Sequence, residues 1–368
     1  MTDGNGTVMI RSGRILIYRL YDIAYEIDLA RVEEKLKEAA KRLRIERRPF
    51  SKAFEFTNPP VVFQLTDRET VIAGEELRVT IYSRAYEYGV VSIILELPIA
   101  DMEIARLEKL ALALEGAGEI DRECREQLAQ VVSILGDSLA APEISSFEED
   151  YTVFLITSLS PAMDMNELLA RCDIARLLLY EEEPLSARIR EELMASRFSY
   201  HPNDGVVLNW DNALIVEPSG SMDIPDILEF ANAQFLELRY YDHIVDRELY
   251  RIYESISAKG ALSIWKIREY EALAAKVMRT VAELTDITEK IDNSLKVTED
   301  VYYARIYMAA LKIFRVQEWE GSIKRKLDLV ARVYDMLYRE IANKRTELLE
   351  AVIVLLIVVE IVLFVLRG

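Results

Sequence analysis

Residues 348–366 constrain this chain more than any other stretch. Leu348-Leu-Glu350 leads into Ala351-Val-Ile-Val-Leu-Leu-Ile-Val-Val359, then Glu360, then Ile361-Val-Leu-Phe-Val-Leu366, before Arg367-Gly368. As a helix the run rises about 28 Å at ~1.5 Å per residue, close to the ~30 Å hydrocarbon core of a bilayer. A buried soluble helix usually keeps a polar stripe, and this run offers only the carboxylates of Glu350 and Glu360. The sequence therefore predicts a single C-terminal transmembrane helix with a tail-anchored body upstream. Arg339, Lys344 and Arg345 precede the run and only Arg367 follows it, so the positive-inside rule places residues 1–347 in the cytoplasm. Met1-Thr-Asp-Gly-Asn-Gly6 carries neither a signal-peptide nor a transit pattern.

Charge narrows the partners. The 368 residues carry 45 Lys+Arg against 63 Asp+Glu, a net charge of -18. A duplex-binding surface needs clustered cations, so no direct nucleic-acid binding is expected. The one basic cluster, Lys41 to Arg48, reads as the solvated end of a helix, where cations complement the dipole. Cys124 and Cys172 show no CxxC spacing and read as reduced, structural thiols.

The chain reads as an α+β protein in four parts. Residues 1–147 form an N-terminal α/β region. Strands are predicted at Arg14–Arg19, Val61–Leu65, Leu77–Tyr82 and Tyr88–Leu95, with an amphipathic helix opened by Asp28. Pro98 is expected to end the last strand and Asp101 to cap helices over 101–138, broken near Gly116-Ala-Gly118. Residues 148–222 form a second α/β segment that completes or accompanies the mixed sheet. It holds a strand at Tyr151–Thr157, a helix capped by Asp164, and a hairpin pairing Gly205–Leu208 with Ala213–Val216. Residues 223–347 read as long antiparallel helices with coiled-coil character, at about 224–257, 261–293 and 299–347. Residues 348–366 are the membrane helix.

The last long helix carries a seam at 3,4 spacing: Ile306, Ala309, Ile313, Val316, Glu320, Ile323, Leu327, Val330, Tyr334, Leu337, Ile341, Lys344 and Leu348. All are apolar except Glu320 and Lys344, a coiled-coil pattern. Ile313, Val316, Ile323, Leu327, Val330, Tyr334, Leu337 and Ile341 are the expected interface of a homo-oligomer. Glu360 is the polar residue inside the expected span, where an ionised carboxylate costs about 2.5 kcal/mol or more. The polar set Glu229, Asn232, Gln234, Glu237 and Arg239 is expected to fix helix register or docking through hydrogen bonds.

Catalytic chemistry is hard to assemble. His201 and His243 are the only histidines, and no P-loop, GxGxxG, GxSxG or HExxH occurs. Glu148-Glu-Asp150 and Glu181-Glu-Glu183 read as solvated loops. No catalytic residue, metal ligand or cofactor is expected, and the chain reads as a non-enzyme.

Several runs together resemble one known family. They are Tyr86-Glu-Tyr-Gly-Val-Val91, Leu228 to Asp242, Ile291-Asp-Asn-Ser-Leu-Lys296 with Tyr303-Ala-Arg-Ile-Tyr307, and Arg345 to Glu350. In that order they resemble the "required for meiotic nuclear division" family, and this chain looks like a prokaryotic relative without a transit peptide. The resemblance implies a membrane-anchored protein with a link to translation and no established enzymatic activity.

The sequence thus predicts a membrane-anchored scaffold or adaptor, whose partners are further copies of itself, the lipid bilayer and other proteins that meet its acidic head. The alternative is an oligomeric ion channel or transporter with Glu360 in a pore. Its layout is similar to that of the CorA-type magnesium transporters, although their second membrane helix and Gly-Met-Asn loop are absent here.

Overall fold

The computed structural model describes residues 7–40, 55–56, 58–258, 295–296 and 300–367, with isolated helical positions between 272 and 282. The chain divides into two units, residues 1–240 with 291–317 and residues 241–290 with 318–368. The helix expected over 261–293 and the basic cluster Lys41–Arg48 lie outside the described residues, isolated positions apart.

The strands are β1 (Met9–Asp22), β2 (Ala24–Ile27), β3 (Glu55–Phe56), β4 (Val61–Ile72), β5 (Glu75–Ala85), β6 (Val90–Glu103), β7 (Leu139–Pro142), β8 (Glu148–Ser160), β9 (Arg197–Phe198), β10 (Gly205–Leu208), β11 (Asn212–Val216) and β12 (Leu295–Lys296). The described helices are α1 (Leu29–Ala40), α2 (Ile104–Glu115), α3 (Gly118–Leu135), α4 (Met165–Arg171), α5 (Ile174–Leu179), α6 (Ala187–Met194) and α7 (Asp223–Ala258). Two more follow, here numbered α8 (Val301–Ile313) and α9 (Val316–Arg367).

Eight strands make one mixed sheet in the order β4-β5-β6-β1-β8-β11-β10-β9. Its pairs are antiparallel except β11 with β8, which run parallel. Residues 148–222 therefore share a sheet with β1. Side chains alternate across a strand, and here both faces are buried. On β1, Ile15 and Ile17 join a core with Val91, Ile93 and Leu95 of β6 and with Leu107, Leu110 and Leu128 of α2 and α3. The alternate residues Leu16, Tyr18 and Leu20 are equally buried on the opposite face, which α7 covers. Strands apolar on both faces read as continuous hydrophobic runs, as Tyr88–Leu95 does.

β6 does not stop at Pro98. It continues to Glu103, with Pro98 paired to Arg14 of β1. The β5 ladder reaches only as far as Glu96. Pro98 therefore lies where β6 has β1 on one side and no strand from β5 on the other, the edge setting in which a strand tolerates proline. The helix accordingly starts at Ile104, and Asp101 instead sits at φ 49° and pairs with Arg11 at 2.7 Å. The break near Gly116-Ala-Gly118 separates α2 from α3. Asp164 caps α4 by accepting from the Glu167 amide at 2.8 Å.

The helix expected over 299–347 is two helices, α8 and α9, separated at Phe314-Arg315. Arg315 takes a left-handed φ of 54°. The reason is Phe314, buried among Phe235 (5.7 Å, stacked), Tyr151 (5.7 Å, edge-on) and Trp210 (6.2 Å, edge-on). Holding that ring in the aromatic cluster interrupts the helix for one residue.

In the second unit, Lys326 of α9 reaches Asp242 and Asp246 of α7, both at 2.7 Å, and Ser322 donates to Asp242 at 2.9 Å. Partners advance together along both helices, 242 with 322 and 246 with 326, so α7 and α9 run in the same sense there.

The expected membrane helix is corrected, and with it the tail-anchored arrangement and the cytoplasmic placement of residues 1–347 derived from it. Among the described residues, no helix is long and apolar enough to cross a membrane. Residues 348–366 are instead the last part of the 52-residue α9. Glu350 and Glu360 bound and cut the run, leaving continuous apolar stretches of about 13 Å and about 9 Å at ~1.5 Å per residue, well short of ~30 Å. The pore reading of Glu360 depended on that span.

Candidate functional site

The most unusual chemistry of the first unit lies under the first four turns of α7. Just before the helix, the Ser221 Oγ accepts from the Asp223 amide at 3.1 Å. Pro225 falls in the first turn, where no intrahelical amide is lost. From Ile224 to Leu238 the helix is buried all round. One side meets the sheet and the other meets α8, where Tyr307 donates to Gln234 and Tyr303 donates to Asp223 at 3.1 Å.

One row across the sheet positions the charges. Register aligns Val62, Arg84, Ser92, Leu20 and Glu149 on β4, β5, β6, β1 and β8. Arg84 donates to Asp226 at 2.8 Å and to Glu229, and Arg239 donates to Glu149. From Glu229 to Arg239 the helix advances about 15 Å. The three strand spacings from β5 to β8 amount to ~14 Å. α7 therefore crosses the strands nearly at right angles, pinned by an ion pair at each end.

The Arg84 end is fully enclosed: the side chains of Arg84, Asp226 and Glu229 are 4%, 3% and 0% exposed. Burial alone would lower the Arg84 pKa, but Asp226 and Glu229 overcome it and hold it well above the ordinary value. Burial pushes the Glu229 carboxyl up to about 7. Arg84 pulls it down and Asp226 pushes it up.

An aromatic wall closes the site. Tyr86 and Tyr88 stack at 5.4 Å, and Phe230 of α7 packs on them at 6.0 and 6.5 Å. Their turn is tight, with the Tyr86 amide donating to Val90 at 2.9 Å and the Gly89 amide to Tyr86 at 3.2 Å. Gly89 sits at φ +96°, and a Cβ there would fall 1.7 Å from the Ala24 carbonyl oxygen. The Tyr86–Val91 and Leu228–Asp242 runs, far apart in sequence, thus meet in space. Arg84 went unmarked in the sequence because a lone arginine in a strand gives no periodic signal.

The other singled-out residues fall elsewhere. Asn232 donates to its own helix at Leu228 (3.1 Å), and the Arg239 guanidinium lies 5.6 Å from the rings of both Phe147 and Phe235. Glu148-Glu-Asp150 is corrected from a loop to the start of β8, because Glu149 is buried against Arg239 and Asp150 lies 3.6 Å from Arg19. Glu181 to Glu183 remain a turn, in which Glu181 accepts from the next two amides. His201 and His243 are exposed. In the expected seam, Val316, Ile323 and Val330 are buried within a single chain, and Leu327 is half-buried. Ile313 lines a shallow groove of about 280 Å³ with Trp210, Ile189 and Leu193. The side chains of Tyr334, Leu337 and Ile341 lie outside the described residues, and Glu360 lies on the apolar end of α9. Among the described residues no group of His, Cys, Asp and Glu could hold a metal ion.

The two thiols should differ in reactivity. Cys124 on α3 is buried, which pushes its thiol up to about 12, while Cys172 is only half-buried and raised less far. Thiolate is the reactive form. A disulfide reagent at pH 8 is expected to modify Cys172 slowly in the folded chain and Cys124 only after denaturation. Equal rates in the folded chain would contradict the packing of α3.

A mixed eight-stranded sheet covered on both faces, with ion pairs seating a central helix, defines an open-sheet α+β protein. The chain belongs to the family described as "Uncharacterized protein MJ0711, N-terminal domain", whose model matches residues 12–223, more than half of the chain. Uncharacterized protein MJ0711 of Methanocaldococcus jannaschii is 27% identical over 219 residues, 59% of this chain and 66% of the relative. The chain thus spans just under two thirds of that relative's length. The family region carries Arg84, Tyr86, Gly89 and Ser92 and ends where α7 begins.

Proposed function

We propose that this protein is a non-catalytic, self-associating scaffold that presents an acidic α+β head to protein partners. The observation that carries this reading is the end of α9. Large apolar side chains are exposed there on every side, among them Leu355 at 62%, Ile361 at 57% and Val365 at 70%. A single chain leaves this surface in water, whereas burial is worth about 25 cal/mol per Å². The 3,4 seam continues into it at Ala351, Leu355, Val358, Val362 and Val365, which are also exposed. Further copies of α9 are the partner such a seam fits. The net charge of -18 favours basic partners for the heads and keeps the heads of neighbouring copies apart.

Size-exclusion chromatography with light scattering tests this on the full chain. The full chain is expected to be an oligomer, and a chain ending at Glu347 a monomer with unchanged thermal unfolding of the head. Leu355→Asp with Val358→Asp should dissociate the full chain likewise. A monomeric full chain, or a truncated chain that keeps the oligomer, overturns the reading.

A further inference from the structure

We propose that the outer edge of β4, with the groove between it and α3, takes an extended basic segment of a partner protein as an added strand. Resting on the scaffold reading, this gives the partner of the acidic head its chemistry. β4 is the last strand of the eight-stranded sheet, and among the described residues it pairs with β5 alone. An edge strand presents unpaired backbone N–H and C=O groups to a further chain. Residues 61–63 are buried, whereas Asp67, Arg68, Glu69 and Val71 are exposed. The open stretch therefore lies toward the Ala73-Gly74 turn.

A groove of about 210 Å³ opens beside that stretch, with Ile72, Val79, Ile81 and Leu95 as its floor. Glu119, Arg122, Glu123 and Glu126 of α3 form its wall, and their 3,4 spacing sets them on one face of the helix. Charge selects the occupant. Nearby arginines are taken: Arg68 by Glu123, Arg78 by Asp67 at 2.7 and 3.1 Å, and Arg106 by Glu75 at 3.4 Å. Glu76, Glu119 and Glu126 have no ion-pair partner among the described residues, and Glu69 is a second carboxylate facing Arg78. The groove lining holds a single cation, Arg122. A second copy's β4 would bring the same carboxylates, and like charges facing across strands are destabilising. A basic chain meets them with opposite charge. Side chains alternate along an added strand. Arginines facing α3 lay their apolar stems on Ile72 and Val79 and reach Glu119 and Glu126 with their heads. β-Branched residues on the other face join Val71, which is 56% exposed. Main-chain pairing supplies the affinity and these side chains the specificity.

Fluorescence anisotropy on the full chain tests this with a labelled peptide of about ten alternating arginines and valines, long enough to pair along the open stretch. Micromolar binding is expected, and none for a peptide with glutamate in place of arginine. N-methylating the peptide's backbone amides keeps its charge but removes the ladder donors, and should weaken binding about tenfold. Glu119 and Glu126 are exposed. Glu119→Lys with Glu126→Lys should weaken binding about tenfold, with thermal unfolding unchanged. Bound peptide is expected to slow amide hydrogen exchange among residues 67–71. Equal binding of the N-methylated peptide, or unchanged exchange at residues 67–71, overturns the strand addition. Protection of those amides that rises with protein concentration alone gives the edge to a second copy and overturns it too. A monomeric full chain that takes the peptide leaves this inference standing and overturns self-association. An oligomer that refuses the peptide overturns this inference alone.

Discussion

Arg84→Met is expected to destabilise the first unit by about 3–5 kcal/mol, because it strands two buried carboxylates without their cation. Asp226 and Glu229 are 3% and 0% exposed, so neither reaches water without moving α7 off the sheet. The damage should depend on pH, smaller in acid where both carboxyls can be neutral and larger above neutrality. Replacing the whole cluster, as Arg84→Met with Asp226→Leu and Glu229→Leu, removes the desolvation penalty together with the attraction. That triple variant should lie within about 2 kcal/mol of the parent chain. Urea unfolding followed by circular dichroism compares the two. A single variant as stable as the parent would mean that the ion cluster does not hold α7. A triple variant no better than the single would place the cost in lost packing rather than in unpaired charge.

Gly89→Ala should be the other severe substitution. A Cβ at this position would lie 1.7 Å from the Ala24 carbonyl oxygen and 2.9 Å from its carbon, both backbone atoms. The turn between β5 and β6 would have to move, and it carries the Tyr86–Tyr88 stack against Phe230. With the positive φ added, a loss above about 4 kcal/mol is expected. Gly74→Ala is the control. Its φ of +77° is also positive, yet nothing lies within 4 Å of the added carbon, so only conformational strain of about 1 kcal/mol remains. Equal losses in urea unfolding for the two variants would show that the close approach to Ala24 does not matter.

Local signals were legible wherever one face or one turn decided the outcome. Runs of β-branched and aromatic residues marked the cores of β1, β4, β5, β6 and β8. Asp164 marked a helix start, and Asn209 to Asn212 marked the β10–β11 hairpin. Glu229, Asn232, Gln234 and Glu237 stood out because polar residues in a helix otherwise so apolar need partners. Long-range context decided the rest. β6 runs past Pro98 because its neighbour β5 ends sooner, and no local rule contains that fact. The helix after Asp300 breaks at Arg315 because Phe314 is drawn into rings from β8, the hairpin turn and α7.

The apolar end of α9 shows the limit of reading composition alone. Its Val, Ile and Leu content suggested a membrane span, whereas its place in a charged 52-residue helix interrupted by Glu350 and Glu360 does not meet the length and apolarity a span requires. The sequence by itself determined the cores of most long strands and helices, and that α7 carries polar groups in need of partners. Only the tertiary structure decided that the partner is Arg84, more than 140 residues earlier. Pairing across such a distance depends on sheet register and helix crossing, which no local pattern encodes, while a buried charge depends on that pairing for its stability.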